Sequence, residues 1–159
     1  MTTFTKWFLL NSVMLTAIFF AEQKKLISSM IEGDLSNISV LIMFLYVCIS
    51  AFVGRLCYLS DKISKDDPAK KKKELNYLSK RSDVGWFAAE HFFSLGLLGT
   101  IIGLILATQG SLDSSVPTAQ IVAGLKKGLN TAFYTTVCGI VFSLPLQVQL
   151  MILKFKLEK

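Results

Sequence analysis

Charge is scarce in this sequence. Only 18% of its 159 residues are Asp, Glu, Lys or Arg, against 52% hydrophobic ones. Residues 38–54, 92–110 and 128–153 hold no charged side chain at all. A soluble domain of this length carries more charge and spreads it along the chain. The segregation excludes that class in favour of one polytopic membrane unit. Histidine is nearly absent too, with His91 alone. No Ser/His/Asp or Cys/His set can be built around it. The GxSxG pattern, a P-loop and metal-spaced clusters are missing, so no enzyme, metal centre or cofactor is expected. Cysteine is scarce and odd in number: Cys48, Cys57 and Cys138 fall in or beside apolar segments. They read as small packing residues without a disulfide.

What charge there is sums to +6. A basic chain suggests nucleic acid, but a membrane protein collects Lys and Arg in its cytoplasmic loops. Four spans account for the distribution. Residues 4–21 make a thin first span with Lys6 snorkelling. As a signal peptide this run is disfavoured, because the bulky Phe19 occupies the position three before the candidate cut where a small residue is needed. Residues 22–37 form an outer connection, with Gly33, Asp34, Ser36 and Asn37 as a turn and helix cap. Residues 38–59 make the second span, facing lipid. Residues 60–86 are a short basic cytoplasmic segment containing Lys70, Lys71, Lys72 and Lys73. Pro68 breaks any helix there, and the pattern over residues 74–84 permits a short amphipathic helix. Residues 87–109 make the third span, residues 110–117 an outer turn, and residues 118–156 a fourth helix. That last helix is about 58 Å long at about 1.5 Å per residue, so both its ends protrude from a hydrocarbon core of about 30 Å. Pro145 predicts a kink in it. With both termini inside, thirteen of the seventeen basic residues face the cytoplasm, and the reverse orientation inverts the ratio.

The chain is organised around residues 94–106, SLGLLGTIIGLIL. Gly99, Gly103 and Ala107 recur every four residues on one helix face, a spacing that lets two membrane helices approach at backbone distance. Thr100 is the hydroxyl partway along. On the fourth helix Thr131 and Thr135 stand four apart, and Thr136, Gly139 and Ser143 form an adjacent stripe of small residues. Two readings stay open. These threonines line an ion path, or they bond back to the carbonyl four residues earlier and merely pack. No ionisable residue is expected between the headgroup layers. A proton path needs one at depth, and hydroxyls orient water but do not hold the charge, so another chain would bring the carboxylate. Glu90 and His91 are placed at the inner mouth of the third span, as an interfacial pair or a proton entry group.

At these residues the chain resembles the MotA/TolQ/ExbB proton-channel family of ion-driven stator subunits. Residues 96–104, GLLGTIIGL, look like that family's GLxGTxxG signature. Residues 128–145 are similar to its GIxxALxxTxxGLxxAIP pattern, with Gly128, Phe133, Thr136, Gly139 and Pro145 at the matching spacings. The similarity covers residues 94–146, and the four-span layout is more like the MotA branch. The chain departs from the pattern at Phe92 and Phe93, where members often have Ala-Pro, and at Thr131, where many ExbB-like members have Glu. It also has only the short segment 60–86 in place of a large cytoplasmic domain.

The resemblance implies an all-α homopentamer around a central pore in the bacterial inner membrane. A dimeric single-span partner of the MotB/TolR/ExbD type would sit inside, its Asp taking up the transported H+, with Na+ open. It implies that Thr100 and Thr136 are pore threonines; the spacing on the fourth helix adds Thr135 and Thr131 to the expected ion path. Gly96, Gly99, Gly103, Gly128, Gly139 and Pro145 shape the helices. The alternative is a structural or regulatory oligomer in the membrane that keeps the scaffold without the motor. Membrane lipid is an expected partner, and nucleic acid is not.

Overall fold

The computed structural model describes residues 2–63, 68–109 and 117–158, and among them every regular element is a helix. In chain order these are α1 (Thr3–Gln23), α2 (Leu26–Gly33), α3 (Ile38–Asp61), α4 (Pro68–Gln109) and α5 (Thr118–Leu157). All but α2 are long and apolar enough to cross a membrane. α1 and α3 are about 31 and 36 Å long, close to one hydrocarbon thickness. α4 and α5 are about 60 Å long and overshoot it. Residues 110–116, most of the expected outer turn, lie outside the described residues.

Both ends of α1 are set by local chemistry. The Thr2 hydroxyl accepts from the Thr5 amide. The carboxylate of Asp61, at the far end of α3, accepts from the Thr3 and Phe4 amides at 3.1 and 2.8 Å. The orphan N–H groups of the first turn are thus satisfied partly by a residue 57 positions away. This fixes α1 antiparallel to α3. The indole of Trp7 then lies on Gly54, where any Cβ would collide with the ring.

Lys25 and Asn37 adopt left-handed backbone at φ 54° and 57° and bracket α2. The expected cap is supplied by Ser36, whose hydroxyl accepts from the Ile38 amide at 3.3 Å, together with Asp34. Its carboxylate accepts from the Ser36 amide and hydroxyl at 2.9 and 2.6 Å and from the Ser39 amide at 2.8 Å. Burial pushes the Asp34 pKa up, but the bonds from Ser36 and Ser39 outweigh it and hold the carboxyl below its ordinary value. Residues 26–33 form a helix of about two turns where the sequence suggested only two apolar clusters.

α3 and α5 run parallel: Tyr46 packs on Phe142 with ring centroids 5.0 Å apart, and the Ser50 hydroxyl meets Gln149 at 3.1 Å. α3 therefore buries a full stripe, including Ile42, Tyr46, Val53, Leu56 and Cys57, rather than facing lipid all round. α4 runs antiparallel to α5, which closes a bundle whose one end holds both termini (the terminal end) and whose other end carries α2 (the α2 end).

α4 departs most from expectation. The segment 60–86 and the span 87–109 are not separate: from Pro68 to Gln109 the chain is one helix. Pro68 starts it rather than breaking it, since the first helical position needs no N–H. The Lys, Glu and Leu residues that follow are good helix formers. Leu78, Ser82 and Ala89 are buried, so the neighbouring helices hold this extension in place.

Candidate functional site

The seam between α4 and α5 is built from missing side chains. A Cβ on Gly103 would stand 2.6 Å from the Ala132 nitrogen and the Gly128 carbonyl oxygen. One on Gly128 would meet Ala107 and the Gly103 carbonyl at 2.5 Å. One on Gly139 would lie 2.8 Å from the Phe92 carbonyl oxygen, and one on Gly96 3.0 Å from that of Thr135. Gly99 gives its space to the Thr135 side chain. All five glycines of the two motifs thus face each other across one interface, where backbones touch and van der Waals packing replaces the hydrophobic effect that lipid cannot supply. Pro145 sits within α5 as a continuous helical residue.

Close approach of the backbones brings two hydroxyls together. Thr100 Oγ1 and Thr136 Oγ1 are 2.5 Å apart. Thr100 also bonds the Gly96 carbonyl at 3.1 Å, and Thr136 the Ala132 carbonyl at 3.0 Å. Two hydroxyls have two protons for three bonds. Either Thr100 donates to Thr136, which donates to Ala132, or Thr136 donates to Thr100, which donates to Gly96. The pair is a short hydroxyl chain with two interchangeable directions. Both residues are half-buried. They lie at the edge of the seam, flanked by exposed Leu97, Ile101 and Leu104 on α4 and Phe133 and Ile140 on α5.

Thr131 and Thr135 do not join them. Both are fully buried. Thr131 Oγ1 meets the Gly33 and Lys127 carbonyls at 3.1 and 3.2 Å and accepts from the Leu35 amide at 3.1 Å, so it ties α5 to the α2–α3 connection. Thr135 bonds back to the Thr131 and Ala132 carbonyls and fills the notch over Gly99. All four threonines bond back to the carbonyl four residues earlier, and only the pair at the edge is partly exposed.

Glu90 and His91 lie within α4 rather than at an end of it. The helix continues beyond them to Pro68, and the Ala89 carbonyl accepts from the buried Ser143 hydroxyl at 2.8 Å, in the same layer as Phe142 and Tyr46. Glu90 is exposed. His91 bonds the Phe87 carbonyl at 2.6 Å and stacks on the Phe87 ring at 3.9 Å, on another side of α4. At the terminal end the seam opens into a cavity of about 230 Å³, lined by Ser79, Ser82, Asp83, Trp86, Lys154 and Glu158 among others. Among the described residues no group of His, Cys, Asp and Glu could hold a metal.

A second polar cluster escaped the sequence reading. Gln149, fully buried on α5, accepts from the Trp7 indole at 3.2 Å and the Ser50 hydroxyl at 3.1 Å, and donates to Tyr46 OH at 3.3 Å. Asn11 accepts from Ser50 at 2.9 Å and donates to the Trp7 carbonyl at 3.0 Å. The network joins α1, α3 and α5. Its signal was present: an amide inside an apolar run must find partners in its own protein.

Compared with known families, residues 69–159 match the family described as MotA/TolQ/ExbB proton channel family. No curated protein and no solved structure matches the chain.

Proposed function

From a chain that belongs to the MotA/TolQ/ExbB proton channel family, we propose an ion-channel subunit of a stator-like motor. In this reading five copies surround a central pore, with the open edge of the α4/α5 seam turned inward. A dimeric single-span partner of the MotB/TolR/ExbD type stands in the pore and supplies an Asp. Ion flow through that pair turns the ring about the partner, which transmits work. The terminal end, with Lys62, Lys70, Lys80, Arg81, Lys154 and Lys156, faces the cytoplasm of a bacterial inner membrane. The apolar outer face of α1, with Phe8, Val13, Leu15, Phe19 and Phe20 exposed, meets lipid.

The observation that carries this reading is the Thr100–Thr136 hydroxyl chain at the edge of the seam. A carboxylate held by a partner beside it would receive a hydrogen bond from the last hydroxyl of the chain, which exchanges its carbonyl acceptor, at Gly96 or Ala132, for the carboxylate. Protonation of that carboxylate would reverse the direction of the chain, since the acid O–H then donates. Hydrogen bonds exchange but no covalent bond is broken in the subunit, and the hydroxyls carry no net charge. The same oxygens could take the place of water around Na+, so the transported ion is H+ or Na+, with H+ favoured.

The test is ion flux and work output in Thr136→Val and Thr100→Val variants of the complex with its partner. Loss of both with assembly intact supports the reading. Wild-type flux in Thr136→Val removes it and leaves the oligomer without a motor role. Counting subunits by particle imaging of the purified complex checks the fivefold ring independently.

A further inference from the structure

The threonine pair stands near the α2 end. Thr131, close by on α5, bonds the connection just ahead of α3. Gln149 lies beside Ser50, which is halfway along α3. Thirteen residues of α5, about 20 Å, separate Thr136 from that level. An ion released at the threonines therefore still has most of the membrane to cross.

We propose that Glu90, with Ser143 and Gln147, forms the inner half of the ion route, relaying protons from the threonine pair to the cavity at the terminal end. The proposal rests on the ion-channel reading above and extends it. Register supplies the first argument. The Ser143–Ala89 bond and the Tyr46–Phe142 contact put Glu90 level with Tyr46. That is about 12 Å from one end of α3 and about 22 Å from the other. The sequence suggested that the chain has no ionisable group at depth, and this register gives it one. A carboxylate at such depth is costly against lipid and marks an ion pathway by default.

Position supplies the second. Thr100, Leu97, Phe93, Glu90 and Trp86 recur at three- and four-residue spacing along one side of α4. Thr136, Ile140, Ser143 and Gln147 do so on α5. The Gln147 amide donates to Ser143 Oγ at 3.1 Å. Gln147 is half-buried and Glu90 exposed on this edge. Among the described residues the ion pair present is Lys154–Glu158 at 4.0 Å, and Glu90 is in none. Trp86, one turn further, lines the cavity with Asp83 and Lys154. The Glu90 carboxylate would take a proton arriving through water from the threonine side. It would release one to water in the cavity and end each cycle ionised as it began.

The experiment has two parts, both on the full complex with its partner. Proton flux into vesicles is read with an entrapped pH dye for Glu90→Gln, Glu90→Asp, Gln147→Leu and Thr136→Val. Glu90→Gln and Gln147→Leu should cut flux by about tenfold or more, with Glu90→Asp recovering part of it. Separately, Glu90→Cys and Gln147→Cys are made in a Cys48→Ser background, where the remaining Cys57 and Cys138 are buried. Both should react with a charged thiosulfonate applied from the terminal side, while Val148→Cys, on the exposed apolar face, should not. Wild-type flux in Glu90→Gln alongside a dead Thr136→Val overturns the relay and spares the channel reading. Inert cysteines at both positions also overturn it, whatever the flux. Wild-type flux in Thr136→Val overturns the channel reading itself.

Discussion

Thr100 Oγ1 and Thr136 Oγ1, on antiparallel helices and 36 residues apart, share one hydrogen bond at 2.5 Å. Each also reaches the carbonyl four residues before it. A hydroxyl that only packed would be replaceable by a methyl of equal volume. Thr136→Val should keep the assembled oligomer and lose ion-driven work, whereas Thr136→Ser should retain it. Work output beside size-exclusion profiles separates the two outcomes.

The glycine seam sets where that pair stands. Gly103→Val would push a branched side chain into the Ala132 nitrogen and Gly128 carbonyl. Overpacking of this kind costs about 1–3 kcal/mol. The expected result is a lower midpoint of thermal unfolding in detergent and loss of flux. Gly124, with nothing within 4 Å of a Cβ, should accept Ala without change in either.

Asp61 holds the start of α1 through the Thr3 and Phe4 amides. Asp61→Ala should cost about 0.5–2 kcal/mol. α1 buries no residue besides Thr3, so it should become the first part of the bundle to loosen. Hydrogen exchange at the α1 amides reads this, and unchanged protection there would show that Trp7 and Asn11 anchor the helix without Asp61.

Gln149 satisfies Trp7, Tyr46 and Ser50 at once. Gln149→Leu should destabilise the bundle by about 1–2 kcal/mol, the scale of interhelical polar contacts in membranes. The double variant with Asn11→Leu should cost less than the sum of the singles, because the two amides share Ser50. Thermal unfolding of the three variants completes the cycle.

The Asp34 carboxyl is held below its ordinary value in the folded state by Ser36 and Ser39 against the opposing effect of burial. A folded pKa below the unfolded one makes its stabilisation present above the unfolded pKa and lost as pH falls through the folded one. Acidifying the side that carries α2 below about pH 4 should therefore loosen the α2–α3 connection. Asp34→Asn should lack that dependence, as read by proteolysis of the connection across pH.

Much of this was legible in residues alone. Charge-poor apolar runs mark a membrane span because an unpaired charge in hydrocarbon is costly, and among the described residues four helices are long and apolar enough to be one. The four-residue spacing of Gly99, Gly103 and Ala107 announced a close helix contact. What sequence spacing could not tell was partners. Thr131, Thr135 and Thr136 look alike on a helical wheel, yet Thr131 meets the α2–α3 connection, Thr135 meets Gly99, and Thr136 meets Thr100. Pro68 was ambiguous for the same reason, since the residue that ends one helix is also suited to begin another.

By itself the sequence determined the solvent: too little charge for water, and runs of the length that lipid demands. It also determined that α4 and α5 would meet at their glycines, because small residues are the only ones that let membrane backbones touch. Depth was decided by the tertiary structure. A helix does not record how far it slides along its neighbour, and the bonds of Ser143 to Ala89 and of Gln149 to Ser50 set Glu90 level with the interior of α3 rather than with its end.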